Sequence, residues 1–375
     1  MGITDKISHA AERKAFETIP DGKWAHYTQR LIRENDPYIL KTFLTNAAYE
    51  GGFRGYQTAQ ETAEKYDINV PWLILMDPTS ACNMHCTGCW AAEYGHKQSL
   101  TFEEMDRVLT EAKALGTHAC LFTGGEPLLR KKDIIRLCEK HRDMAFHAFT
   151  NGTLIDEEFC QEMLRVGNFF VSISVEGFEE ANDGRRGRGH FQKVLDAMDL
   201  MRSHRIPFGV SICYTSRNYK VVTSDEFLDL LIDKGCVFAW YFHYIPVDNN
   251  ADTSLLLTPE QRTYMKDRVR EIRGVTGGKE LYCIASISAT LYGVMEAFSF
   301  TPMPSCRRAR IFSVTRPNMG RPHRRSYVSS LPPYSVILKR KGGSCRKKSS
   351  QSRSIREPLL LTDTSRPIFF SSVSR

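Results

Sequence analysis

Nowhere in the 375 residues do about 18 uncharged apolar residues follow one another, which argues against a membrane-spanning helix. The start, Met1-Gly-Ile-Thr-Asp-Lys, lacks the basic-then-apolar order of a secretory signal. Cysteine pairs are scarce. Eleven Cys is an odd count, and most stand singly in apolar stretches (Cys120, Cys138, Cys160, Cys213, Cys236), as small buried hydrophobes of a reducing cell do. A cytoplasmic location is the expectation. With 42% hydrophobic and 25% charged residues, the chain is neither collagen-like, nor wholly disordered, nor a small disulfide scaffold. One large domain or two medium ones fit its length. Acidic residues are nearly missing from the last quarter. Residues 286–375 hold 17 Lys and Arg against 3 Asp and Glu, a net of +14, whereas the rest holds 34 against 40, a net of −6. The overall +8 therefore belongs to the tail.

What is present divides into three textures. Residues 1–70 read as a helical extension, with helical spacing over 22–48 and 56–66 and Gly51-Gly52 as a break. From Pro71, strand-like runs at 71–77, 118–123, 144–150, 168–175, 207–214 and 237–245 alternate with amphipathic helical runs at 101–115, 131–142, 156–166, 190–205 and 223–234, and another helix follows at 258–272. Thr101 and Thr258 are expected N-caps, the latter with Pro259 and Gln261 behind it. Six successive βα units predict an α/β core at 71–275 with a parallel sheet and right-handed crossovers. Six units rather than eight suggest a partial (βα)6 barrel, while an open doubly wound sheet stays possible on periodicity alone. In both, ligands gather at the carboxyl ends of the strands. Residues 276–375 are rich in Ser and Arg and keep no period, so this basic tail is expected to be poorly structured. Its abrupt onset also fits out-of-frame translation in place of a lost substrate domain.

Only Cys82, Cys86 and Cys89 cluster, in Asp77-Pro-Thr-Ser-Ala-Cys82-Asn-Met-His-Cys86-Thr-Gly-Cys89-Trp90 behind the first strand. Three thiolates at this spacing can converge on one metal centre, either zinc or an iron–sulfur cluster. Zinc asks for a fourth ligand, with His85 or His96 as candidates. An iron–sulfur cube on three Cys leaves one iron open for chemistry.

The Cys-x3-Cys-x2-Cys loop resembles the signature of radical S-adenosylmethionine (SAM) enzymes. Gly124-Gly125-Glu126-Pro127 after the second strand, Thr150-Asn151-Gly152 after the third and Ser172-Ile-Ser174-Val-Glu176-Gly177 at the fourth extend the likeness in the family's order, over about residues 71–250. The last of these, with 209–218, is similar to the branch of peptide-modifying enzymes and the molybdopterin-precursor cyclase. One departure is Gly88, where the family often has an aromatic; Trp90 follows the third Cys instead.

The resemblance implies that Cys82, Cys86 and Cys89 hold three irons of a [4Fe–4S] cluster whose fourth iron is chelated by SAM. Gly124, Gly125, Glu126 and Pro127 would lie along the methionine moiety, and Thr150, Asn151 and Ser174 would serve the sulfonium side and the ribose. Reductive cleavage of SAM then yields a 5′-deoxyadenosyl radical that takes hydrogen from a peptide or small-metabolite substrate, with electrons from a flavodoxin or ferredoxin. Other residues carry expectations of their own. Trp90 and Tyr94 shield the cluster or pack beside the first helix. Asp183-Gly-Arg185-Arg186 reads as a solvated basic loop, with Arg186 the candidate partner of the SAM carboxylate. His243 and Tyr244 are candidates to line the substrate cavity, with a buried structural His the preferred reading of His243. Cys283, Cys306 and Cys345 form no CxxC pair and are assigned no auxiliary cluster. Two other readings stand beside this one: a zinc-stabilised protein binding nucleic acid, whose basic arm is the tail, and a radical SAM core inactive for want of its substrate domain. Neither a membrane nor a nucleic acid is expected as partner of the leading one.

Overall fold

The structure is a computed structural model, and it describes residues 22–66, 68–89, 91, 98–246, 252–274, 278–286, 312–314 and 370–372. Trp90, Tyr94 and His96, and nearly all of the tail, lie outside these residues.

Seven strands form the working sheet: β1 (Ile74–Met76), β2 (Ala119–Phe122), β3 (Ala145–Thr150), β4 (Phe169–Ser174), β5 (Gly209–Tyr214), β6 (Phe238–His243) and β7 (Tyr282–Ser286). They pair in sequence order and all in parallel. A doubly wound sheet would reverse its order at a switch point. None occurs, so the chain winds in one direction as a partial barrel does. β7 is one strand more than the periodicity predicts, because Tyr-Cys-Ile-Ala-Ser sits where patterned sequence gives out. Two short backbone segments of the tail, β8 (Phe312–Val314) and β9 (Phe370–Ser372), continue the sheet beyond β1. The tail is thus not without strand structure.

The helices are α1 (Lys23–Glu34), α2 (Pro37–Phe43), α3 (Tyr56–Tyr66), α4 (Phe102–Ala114), α5 (Lys131–Lys140), α6 (Glu157–Val166), α7 (Glu179–Arg186), α8 (His190–Ser203), α9 (Asp225–Asp233) and α10 (Pro259–Arg273). Both expected caps are capping boxes, Thr101 with Glu104 on α4 and Thr258 with Gln261 on α10, each satisfying two orphan N–H groups. Gly51-Gly52 does not break the N-terminal helices. The chain passes through it as a π-helix, Leu44–Gly55. At its end Gly55 meets Gly116 so closely that a Cβ on either would lie 2.4 or 2.3 Å from the other's carbonyl oxygen. Two glycines therefore let this helical layer rest on the barrel.

Alternation along the strands separates two faces. Ile74, Met76, Phe122, Phe146, Ala148, Val171, Ile212 and Tyr241 belong to the large core under the helices. The residues between them face the bore, where Leu73 and Leu121 cluster with Leu75 and Phe149, and Trp240 and Ile284 with Phe238 and Phe242. Phe242 stacks parallel on Trp240 at 5.9 Å, and Phe149 meets both rings edge-on. The bore is aromatic on the β3–β6 side.

Candidate functional site

The cysteine loop leaves β1 at Asp77 and is fastened in turn to the ends of the next three strands. At β2, Gly125 N donates to Thr79 O (3.0 Å) and Glu126 N to Ala81 O (2.8 Å). A Cβ at Gly125 would lie 2.1 Å from Ala81 O, and Gly124, at φ +103°, would bring one to 2.7 Å from Thr79 O. The glycine pair thus lets β2's end lie directly on the loop backbone. Sequence reasoning assigns this pair to the methionine moiety, but the close approach in the structure is to residues 79–81.

At β3, Asn151 Nδ2 donates to Asn83 Oδ1 (2.8 Å), and Asn83 Nδ2 donates to Thr153 Oγ1 (2.8 Å). Glu126 is 1% exposed. Its Oε1 accepts from Leu128 N (2.9 Å) and Thr150 Oγ1 (2.7 Å), and its Oε2 from Asn151 N (2.7 Å). Burial pushes this carboxyl up, against the pull of those three donors. The carboxylate joins β2 to β3. Thr150 and Asn151 are equally engaged: Thr150 Oγ1 accepts from Gly152 N, Asn151 Oδ1 accepts from Thr153 N and Oγ1, and Asn151 O faces His190 Nε2 at 2.9 Å. Pro127, buried, opens the short helical turn 127–130. Ser174, half-buried at the end of β4, looks into the bore.

Beyond β4 the expected solvated loop is instead helix α7, and its arginines are half-buried partners of Glu176. That carboxylate is 0% exposed. Its Oε1 accepts from Arg185 Nη1 (2.5 Å) and from Arg186 Nε (2.9 Å) and Nη2 (2.6 Å), and its Oε2 from Cys213 N (2.9 Å). The pair carries one positive charge in excess. Arg185 also grips the loop, donating from Nε to Thr87 O (3.2 Å) while its own carbonyl accepts from Thr87 N (2.9 Å). Arg186 Nη1 stands 4.0 Å from Cys86 Sγ. Glu176 is quoted within a motif but given no role by the sequence. The signal was there, an acid at the end of the apolar run Phe169–Ser174.

The three thiols sit inside this frame. Cys82, Cys86 and Cys89 are free and half-buried, and Cys89 N donates to Cys86 O. Gly88, at φ +66°, is covered by the Tyr244 ring, 2.8 Å from where a Cβ would be. An aromatic thus reaches this spot from the end of β6, and Tyr244 is buried, whereas His243, expected to be the buried one, is not. His243 is half-buried beside Tyr214. His85 is exposed, and among the described residues no three His, Cys, Asp or Glu side chains close round a single ion. Burial pushes the Cys82 and Cys86 thiols up, and Arg186 pulls Cys86 part of the way back. Half-buried thiols of this kind become thiolates when a strongly cationic soft centre faces them. The donor set therefore fits an iron–sulfur cluster.

Comparison with known proteins agrees. Residues 76–231 match the family description Radical SAM superfamily, so this part of the chain is a radical SAM domain. Its members use a [4Fe–4S] cluster and SAM. Among its relatives are Fe-coproporphyrin III synthase of Methanosarcina barkeri, 25% identical over 66% of this chain and 63% of that one, and AdoMet-dependent heme synthase of the same organism, 28% identical over 48% and 52%. The chain thus spans between half and two thirds of the length of these two relatives. Streptococcus suis SuiB bound to precursor peptide SuiA shares the fold, with a TM-score of 0.54 and 16% identity over 70% of this chain and 61% of SuiB.

Proposed function

We propose that the chain is a radical SAM enzyme in which Cys82, Cys86 and Cys89 bind a [4Fe–4S] cluster. One observation carries this reading: the cysteine loop is hydrogen-bonded to Gly125 and Glu126 behind β2, to Asn151 behind β3, and to Arg185, the partner of Glu176, behind β4. When bound, the cluster and SAM supply reductive cleavage of the sulfonium and a carbon radical that takes hydrogen from substrate.

The protein's own contribution is positional. The Glu126 brace holds the ends of β2 and β3 at one spacing, so that backbone groups of Gly124, Gly125 and Asn151 meet SAM in a fixed frame. Ser174 Oγ, with no protein partner among the described residues, is free to bond a ribose hydroxyl. Arg186 keeps positive charge beside Cys86 and the incoming SAM carboxylate. The bore behind them excludes water with Phe149, Trp240 and Phe242. The substrate is a peptide or small metabolite, and the electron donor a flavodoxin or ferredoxin.

Anaerobic reconstitution with iron and sulfide tests the reading. The expected product is a brown protein that cleaves SAM to 5′-deoxyadenosine on reduction, while Cys86→Ala loses both the colour and the cleavage. A colourless protein holding one zinc overturns the reading and favours the zinc-stabilised alternative.

A further inference from the structure

Asp77 ends β1 and takes no part in the network just described. Thr123 N donates to Met76 O, so β1–β2 pairing runs up to this residue and strand alternation still governs its side chain. Ile74 and Met76 enter the core under the helices, while Leu73 and Leu75 cluster with Leu121 and Phe149 on the bore side. Asp77 shares the second face. The carboxylate therefore stands on the bore side beside Gly124, which leaves it room, since a Cβ there would lie 3.0 Å from Asp77 Cβ.

Its condition is unusual. The residue is 9% exposed, and Oδ1 is buried with no hydrogen-bond partner. Buried carboxylates are normally paired or hydrogen-bonded, and an orphan asks for a missing partner. Glu126 and Glu176, the other buried carboxylates of this barrel end, each accept several hydrogen bonds. Among the described residues no charged neighbour compensates Asp77; burial lifts its carboxyl to about 7. Space for a partner exists on its own side. Leu75, Phe149, Ser174, Cys213 and Phe242 lie mid-sheet with helices behind them, yet each is only half-buried. The surface they keep open faces the bore.

We propose that Asp77 is a substrate-anchoring residue, pairing its carboxylate with a protonated nitrogen of a substrate whose flat apolar body lies along Phe149 and Phe242. The inference rests on the radical SAM reading and narrows its substrate class to amines or guanidines with an apolar or aromatic body. An ammonium supplies the charge and the donors that Oδ1 lacks, and the ring wall supplies stacking and cation–π contact. A neutral donor would supply a hydrogen bond but no counter-charge, and an anion would add repulsion.

Two probes of nearly equal shape decide the matter: tryptamine, which carries an ammonium, and tryptophol, which carries a hydroxyl. Each is titrated calorimetrically and anaerobically into the reconstituted, SAM-loaded protein. Tryptamine is expected to bind at least tenfold more tightly, and Asp77→Asn to bring the two within about twofold, with cluster absorbance and SAM affinity unchanged. Asp77→Ser, smaller and uncharged, is expected to behave as Asp77→Asn does. Equal affinities in the wild type, binding of neither probe, or a preference that survives in both variants overturns the proposal. A tenfold loss of SAM affinity in Asp77→Asn also overturns it, because the carboxylate then serves the cofactor. Failure of the wild-type protein to take up iron and SAM is a different result, and it overturns the radical SAM reading beneath.

Discussion

Asp77 also shows how a single residue can trade stability for function. Its carboxyl stands at about 7 in the folded protein against an ordinary 3.8. Between these values the native chain keeps a proton that the unfolded chain has released, so stability falls as pH rises through this window. Above about 7 the full cost is present. Asp77→Asn of the ligand-free protein should thus match wild type near pH 4 and exceed it by ~2–4 kcal/mol at pH 8. Urea unfolding at the two pH values measures this, and a pH-independent difference would refute it. The sequence hides the role, because Asp-Pro ahead of a loop reads as turn chemistry. The three cysteines were legible for the opposite reason: their spacing lies within eight residues and their chemistry is rare.

Among the elements, most of the sheet could be read in advance. Apolar runs bounded by glycines and capped helices give β1 to β6 and the crossovers their places, and Thr101 and Thr258 announce their helices. Helix α7 could not be read. Glu-Glu-Ala-Asn-Asp-Gly-Arg-Arg has no apolar stripe, and what holds it is a carboxylate nine and ten residues upstream that only the folded chain brings near. Asn182 secures its start, with Oδ1 accepting from Glu176 N and Nδ2 facing His190 Nδ1. Glu176→Gln leaves both guanidiniums of α7 without their counter-charge in a largely buried place. Breaking a buried pair in this way costs about 3 kcal/mol or more, reduced here because the arginine side chains keep 15% and 12% of their exposure. The expected result is a loss of ~2–3 kcal/mol in chemical denaturation together with lower iron content after reconstitution. Unchanged iron content would show that α7 does not help hold the cysteine loop.

For the molecule as a whole, the net charge is misleading. The barrel and its helices are mildly acidic, and the site is built from hydrogen-bonded strand ends and a bore with aromatic walls. A chain ending at residue 286 is expected to take up iron and cleave SAM as the full chain does, measured by iron analysis and 5′-deoxyadenosine formation. A loss of either would give the tail a working part, for which its backbone pairing with β1 offers the route. The two arginines gathered on one buried carboxylate have a thermodynamic consequence. Their surplus positive charge favours ionisation of the neighbouring Cys86 thiol, the form in which a thiol binds metal. On the proposed ligation, assembly of the cluster and the grip of Arg185 on the loop are expected to be linked equilibria, each drawing the other forward.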